Sequence, residues 1–219
     1  MRTRLRRLIA LGLLSAVGLG CTAAARVSWQ PEALAVVMEP NAFRVHEATL
    51  RAAAAIASLD LTPSASLRPL LSVVPSTVAG VNAGAERRVR LAVLLPPTAR
   101  AGERITGVLD PGLRVTIDVV PPTPEGTLES ARLALEQGDE AAYLAQVVPD
   151  RRAAERRTFA GLTDTARLAL AQTLQTAEPI SLDGDRVEYR IYLLLGPQRL
   201  ESSIVLQRSA DGLWRIARF

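Results

Sequence analysis

The sequence predicts two bodies in series: an all-β sandwich followed by an α+β body. Three observations carry this. Apolar residues alternate with polar ones in two runs of the first half, Val89-Leu91-Val93-Leu95 and Leu113-Val115-Ile117-Val119, the period of a half-buried strand. The second half opens instead on helical spacings and turns to strand spacings only near its end. Between them stands Pro121-Pro122-Thr123-Pro124, which neither a helix interior nor a central strand can absorb. The expected boundaries are 26–120 for the sandwich, 121–126 for a Pro-rich linker and 127–219 for the α+β body.

Along the first body, Leu34 to Met38 forms a short apolar run after Pro31. Arg44 to Leu61 is longer, and its alanines leave helix and strand both open. Turn clusters lie at Pro40-Asn41, Pro63-Ser64, Pro75-Ser76, Asn82-Ala83-Gly84, Pro96-Pro97-Thr98 and Asp110-Pro111-Gly112. A strand is expected from Ile105 to Leu109. Short strands with turns at near-regular spacing point to an antiparallel sandwich.

In the second body Thr127 is expected to cap a first helix, with Glu129 in its first turn and Leu128, Ala131 and Leu135 on one face. Gly138 ends it and Asp139 caps a second helix, with Tyr143, Leu144 and Val147 for burial and Pro149 as the stop. A third helix is expected from Asp150 to Thr176, with Ala166, Leu170 and Leu174 along one stripe. Strands follow at 186–195, 199–207 and 213–219, the last two joined through Asp211-Gly212. Helices first and antiparallel strands after is an α+β order.

The first 21 residues read MRTRLRRLIALGLLSAVGLGC. Four arginines precede an uncharged run from Leu8 to Gly20, too short for a bilayer-spanning helix of roughly 20 residues. Its length suits the apolar core of an export signal, about 7–15 residues. The ending Val17-Gly18-Leu19-Gly20-Cys21 resembles the lipobox of bacterial lipoprotein signal peptides, with Gly18 where that pattern usually has Leu. The resemblance implies a signal peptide over 1–20, a diacylglyceryl thioether on Cys21, and a tether over 21–25. It also implies a place in the bacterial cell envelope, lipid-anchored and facing the periplasm or exterior. An outer membrane is preferred to an inner one where the cell has both.

Two further resemblances concern the bodies. The segment from Val74-Pro75 through Arg87–Leu95 and Pro96–Gly102 to Ile105–Leu109 is similar to bacterial immunoglobulin-like domains, which act as spacers or binding modules. Ala134-Leu135-Glu136-Gln137-Gly138-Asp139-Glu140-Ala141-Ala142-Tyr143 and the ending Ala210-Asp211-Gly212-Leu213-Trp214-Arg215-Ile216-Ala217-Arg218-Phe219 resemble the nuclear-transport-factor-two-like, or cystatin-like cone, fold. That fold hosts many unrelated functions and implies no substrate.

Charge and composition narrow the function. All 26 basic residues are arginine; four lie in the leader, and the remaining 22 meet 22 acids, so the body is formally neutral. A nucleic-acid partner is therefore not expected. With one histidine, His46, and one cysteine, Cys21, neither a metal centre nor a His-based triad has its components. Asp139, Tyr143, Tyr189 and Tyr192 are nominal acid/base groups, but no matched pair is visible. Trp29 and Trp214 are read as packing residues. The arginine runs at 87–90 and 151–157 are read as solvated faces, and Gly80, Gly84, Gly102 and Gly107 as turn residues. The expectation is a membrane-anchored, non-catalytic binding or scaffold protein without cofactor or metal. Its expected partners are the bilayer through acylated Cys21, an unknown envelope protein or small apolar ligand, and a second copy paired through the C-terminal sheet. The alternative is a small-molecule carrier or enzyme using a pocket of the C-terminal body.

Overall fold

The computed structural model describes residues 27–195 and 198–219, so the signal segment 1–20, Cys21 and the tether lie outside the described residues. The chain is mostly β-sheet, with several sheets and a few helices.

Nine strands make the first body: β1 (Val27–Gln30), β2 (Ala33–Met38), β3 (Phe43–Ala52), β4 (Ile56–Asp60), β5 (Leu71–Val74), β6 (Thr77–Val81), β7 (Glu86–Leu94), β8 (Arg104–Leu109) and β9 (Leu113–Val119). They form sheets of order β1-β3-β7-β5 and β2-β9-β8, with β4 paired to β6. The alternation read from the sequence decides which side chains are buried. Val89, Leu91 and Val93 of β7 and Leu113, Val115, Ile117 and Val119 of β9 all enter one core. Strand β2 joins β9 in parallel, which places Val36 beside Ile117.

The open segment Arg44–Leu61 resolves into the strands β3 and β4. Ala48, Leu50 and Ala52 sit in the core at period two, and β3 pairs with β7 along Phe43↔Leu94 to Arg51↔Glu86. Cross-strand pairing thus overrides the helical preference of alanine. The turn expected at Asn82-Ala83-Gly84 is present, closed by the Ala85 N–H on the Asn82 carbonyl, whereas Gly80 lies inside β6 and is not a turn residue. Gly107 is not a turn residue either. It lies within β8, where a Cβ would collide with Ser64 and Leu67.

The second body contains α1 (Pro124–Gln137), α2 (Glu140–Ala145), a 3-10 turn (Pro149–Arg151), α3 (Arg152–Gly161) and α4 (Asp164–Gln175). The antiparallel sheet β10-β11-β12-β13 follows: β10 (Glu178–Asp183), β11 (Arg186–Leu195), β12 (Gln198–Arg208) and β13 (Trp214–Arg218). The expected cap moves by one turn. Thr123, not Thr127, accepts the Gly126 N–H, and Pro124 takes the first helical position, where its missing N–H costs nothing. Glu125 therefore stands in the first turn in place of Glu129, and Thr127 instead donates its hydroxyl to the Trp214 carbonyl at 3.1 Å.

Gly138 ends α1 in the left-handed conformation and Asp139 caps α2 through the Ala142 N–H, both as the sequence indicates. The single helix expected over 150–176 is broken. Leu162 is extended, and Thr163 accepts the Ala166 N–H and so starts α4 as a new helix. Pro149 does not end α2, which stops at Ala145; it opens the 3-10 turn. β10 has no counterpart in the sequence reading, because all six of its residues are exposed and it carries no alternation.

A second core gathers Leu128, Ala131 and Leu135 of α1 with Tyr143, Leu144 and Val147. From the sheet come Val187, Tyr189 and Ile191 of β11, Ile204 of β12, and Trp214 and Ile216 of β13. It also takes Phe43 from the first body, with Val45, Ala92 and Leu94 packed against it. These are the residues of β3 and β7 that alternate away from the first core, so the sheet β1-β3-β7-β5 contributes to both cores.

Polar ties close the joint. The Gln146 side chain is 1% exposed and donates to the Asn41 carbonyl at 2.6 Å, while Asn41 Nδ2 donates to the Ala145 carbonyl at 2.8 Å. The Glu39 carboxylate accepts the Thr123 N–H at 2.9 Å and its hydroxyl at 2.6 Å. Gly126 leaves the room for this, since a Cβ there would strike the same carboxylate.

Candidate functional site

An apolar groove of about 600 Å3 lies between α4 and β11. One wall is α4 with its approach, contributing Leu162, Ala166, Ala169, Leu170 and Thr173; the other is Tyr192 and Leu193. The helical stripe Ala166-Leu170-Leu174 read from the sequence is therefore divided. Leu174 enters the core, whereas Ala166 and Leu170 are half-buried and line the groove. Helical spacing identified the face but could not say that the sheet stops short of covering it.

None of the groove's lining residues is a carboxylate. Of the nominal acid/base groups, only Tyr192 reaches it. Tyr189 is buried and donates its hydroxyl to Glu125 at 2.6 Å, but Glu125 is exposed and neither lines the groove. Burial, reinforced by Glu125, pushes the Tyr189 phenol well above its ordinary value. Tyr143 is raised in the same way by burial and by Glu155, whose carboxylate lies 3.4 Å away. Tyr143 also packs on Phe159 at 5.4 Å between ring centroids. Both phenols thus stay neutral and act as hydrogen-bond donors. Asp139 serves as the α2 cap.

His46 lies on β3 opposite Leu91, with its Nε2 buried and without a hydrogen-bond partner. Burial first, and the Arg44 charge second, hold the imidazole below its ordinary value. Among the described residues no group of His, Cys, Asp or Glu could hold a metal ion.

Trp29 and Trp214 are buried, and Trp29 Nε1 donates to the Pro111 carbonyl at 2.7 Å. In the arginine run at 151–157, most members bind the protein itself. Arg151 reaches the Ala217 carbonyl, Arg152 the Val147 carbonyl, and Arg156 the Glu140 carboxylate at 3.0 Å. In the other run Arg90 donates to Gln137 across the joint at 2.7 Å, while Arg87 and Arg88 are exposed. Arg215 was not singled out in the sequence. It is buried and forms two hydrogen bonds to Asp211, which hold that carboxyl below its ordinary value. No helix among the described residues is long and apolar enough to cross a membrane.

No family model and no curated protein matches the chain. Among solved structures, the Vibrio cholerae VesB protease is similar over 43% of this chain at 17% identity, with a TM-score of 0.27. The match spans 32% of that protein, and at this TM-score it carries no argument about fold or activity.

Proposed function

We propose that the chain is a lipid-anchored bacterial envelope lipoprotein. Its first body is an immunoglobulin-like spacer and its second a cone-like module that binds rather than catalyses. The observation that carries the anchor is the ending Val17-Gly18-Leu19-Gly20-Cys21 behind an arginine-rich start and an uncharged core, in a chain with no other cysteine. One acyl chain binds a membrane marginally and two hold it stably, so acylation of Cys21 would keep both bodies at the lipid surface. An outer membrane facing the periplasm or exterior remains the preferred place.

The strand order β1-β3-β7-β5 opposite β2-β9-β8 supports the immunoglobulin-like reading. It has the layout of four strands facing three that such sandwiches use. Helices laid on one face of a four-stranded antiparallel meander support the cone-like reading. The groove supports binding: apolar pockets with few polar groups hold ligands, and catalysis there would call for a facing acid or base. A carrier of a small apolar ligand uses the same groove and is the second reading. The outward face of the C-terminal sheet carries the ion pairs Arg190–Glu201 and Arg218–Glu188. Interface cores are depleted of charge, so this proposal leaves that face to solvent instead of a second copy.

Fatty-acid labelling with membrane fractionation tests the anchor. Wild type should carry label and sediment with membranes, and Cys21→Ser should lose both. Equal membrane retention of the two, with no label in wild type, would overturn it.

A further inference from the structure

The groove meets a strand edge that no described strand pairs. β12 pairs with β11 along its whole length, from Arg186↔Gln207 to Leu195↔Gln198. β10 covers the other side only from Asp183↔Arg186 to Glu178↔Arg190. Among the described residues, no strand lies beside that side of β11 from Ile191 onward. Successive strand residues point to opposite faces, yet Tyr192 and Leu193 both line the groove. A recess that touches both must reach the edge itself, and β12 already occupies the other edge.

The two edges of this sheet region are built differently. β10 is blunted: it carries Pro179, an irregularity between Pro179 and Ser181, and acids at both ends, Glu178 and Asp183. Proline, bulges and charge are the devices that keep an edge from pairing. The free stretch Ile191-Tyr192-Leu193-Leu194-Leu195 contains no charge and no proline. Opposite it, Ala166 and Ala169 keep the α4 wall low, and Leu200, paired with Leu193, is 44% exposed and extends the apolar surface.

We propose that this groove takes an extended segment of another protein, which adds as a strand to the free edge of β11 and seats apolar side chains against α4. The proposal rests on the binding reading of the second body and deepens it. A strand satisfies both halves of the site: its main chain meets the unpaired edge and its alternate side chains fill the apolar recess. An acyl chain would fill the recess and leave the edge groups unpaired. Recognition is by alternation, with an apolar residue at every second position.

The test uses the full chain reconstituted in phospholipid nanodiscs and a fluorescein-labelled nonapeptide that alternates threonine and leucine between terminal lysines. Two twins carry N-methyl groups on alternate amides, one set for each edge of the peptide strand. Fluorescence anisotropy should give saturable binding of the parent. One twin should bind roughly tenfold or more weakly, the loss of one or two main-chain hydrogen bonds. Ala169→Arg, at an exposed position on the groove wall, should weaken the parent peptide by a similar factor with the melting temperature unchanged. Equal binding of the parent and both twins would overturn strand addition in favour of simple apolar filling. Absence of saturable binding would overturn the proposal outright. Neither result touches the labelling of Cys21, so the anchor stands or falls separately.

Discussion

The two bodies solve the same problem with different means. In the first, the inward residues of its sheets face one another, so β3, β7 and β9 bury every second side chain and most of the outward ones are free to be polar. In the second, one sheet is covered by helices on one face only, and the cover is partial: α4 leaves a groove and β10 stays wholly exposed. The difference lies in cover. Two sheets close on each other along their length, whereas a helix covers only the strands it crosses. The second body is therefore where an unfilled surface remains, and the first is where none is needed. The joint links them asymmetrically, since the first body lends Phe43 to the second core and receives no side chain in exchange in its own core.

The largest expected effect tests whether that joint makes one cooperative unit. Trp29→Ala and Trp214→Ala each remove a buried indole, at a cost of about 3–5 kcal/mol. With Phe43 shared, urea unfolding of the two variants should show one transition shifted to a similar degree. Two transitions, each responding to one variant, would mean that the bodies unfold independently despite the contact.

A smaller effect is expected at the joint alone. Gln146→Ala leaves the buried Asn41 carbonyl without its donor, worth about 1–3 kcal/mol. The loss should lower the midpoint of the single transition without splitting it. Unchanged stability in calorimetry would mean that water replaces the amide and the tie is not structural.

Acidity separates the bodies further. His46 is held below its ordinary 6.5, so the unfolded chain takes up a proton that the folded chain refuses. Stability from this source is complete above that value and falls as pH drops below it, by at most about 1.4 kcal/mol per pH unit. Asp211 is held below its ordinary 3.8 by Arg215, so its contribution is present above that value and lost only as pH falls lower still. The His46 contribution should thus be lost at milder acidity than that of Asp211. His46→Gln should remove the slope that opens just below pH 6.5, measured by urea titration. Persistence of that slope would assign it elsewhere.

Much of this was legible in local pattern. Val89-Leu91-Val93 and Leu113-Val115-Ile117 name their own buried face, and Gly138-Asp139 ends one helix and starts the next, because period and cap chemistry are properties of neighbouring residues. The split at Leu162-Thr163 was not read, although Thr163 is an ordinary cap. The apolar stripe ran on beyond it and hid the break. β10 left no trace because a strand exposed on every residue has no alternation to detect.

By itself the sequence determined the division into a strand-built half and a helix-then-strand half, the neutral charge of the folded part, and the cysteine on which the anchor proposal rests. Each follows from composition or from spacing within a few residues. Tertiary structure decided the rest. Phe43 and Val45 alternate out of one core into another, Glu39 and Asn41 find Thr123 and Gln146 far along the chain, and Leu170 and Leu193, packed at the margin of the second core, also line a groove. The physical reason is that apolar periodicity specifies which face must leave water, whereas what that face meets depends on where β11 ends its pairing and α4 crosses it.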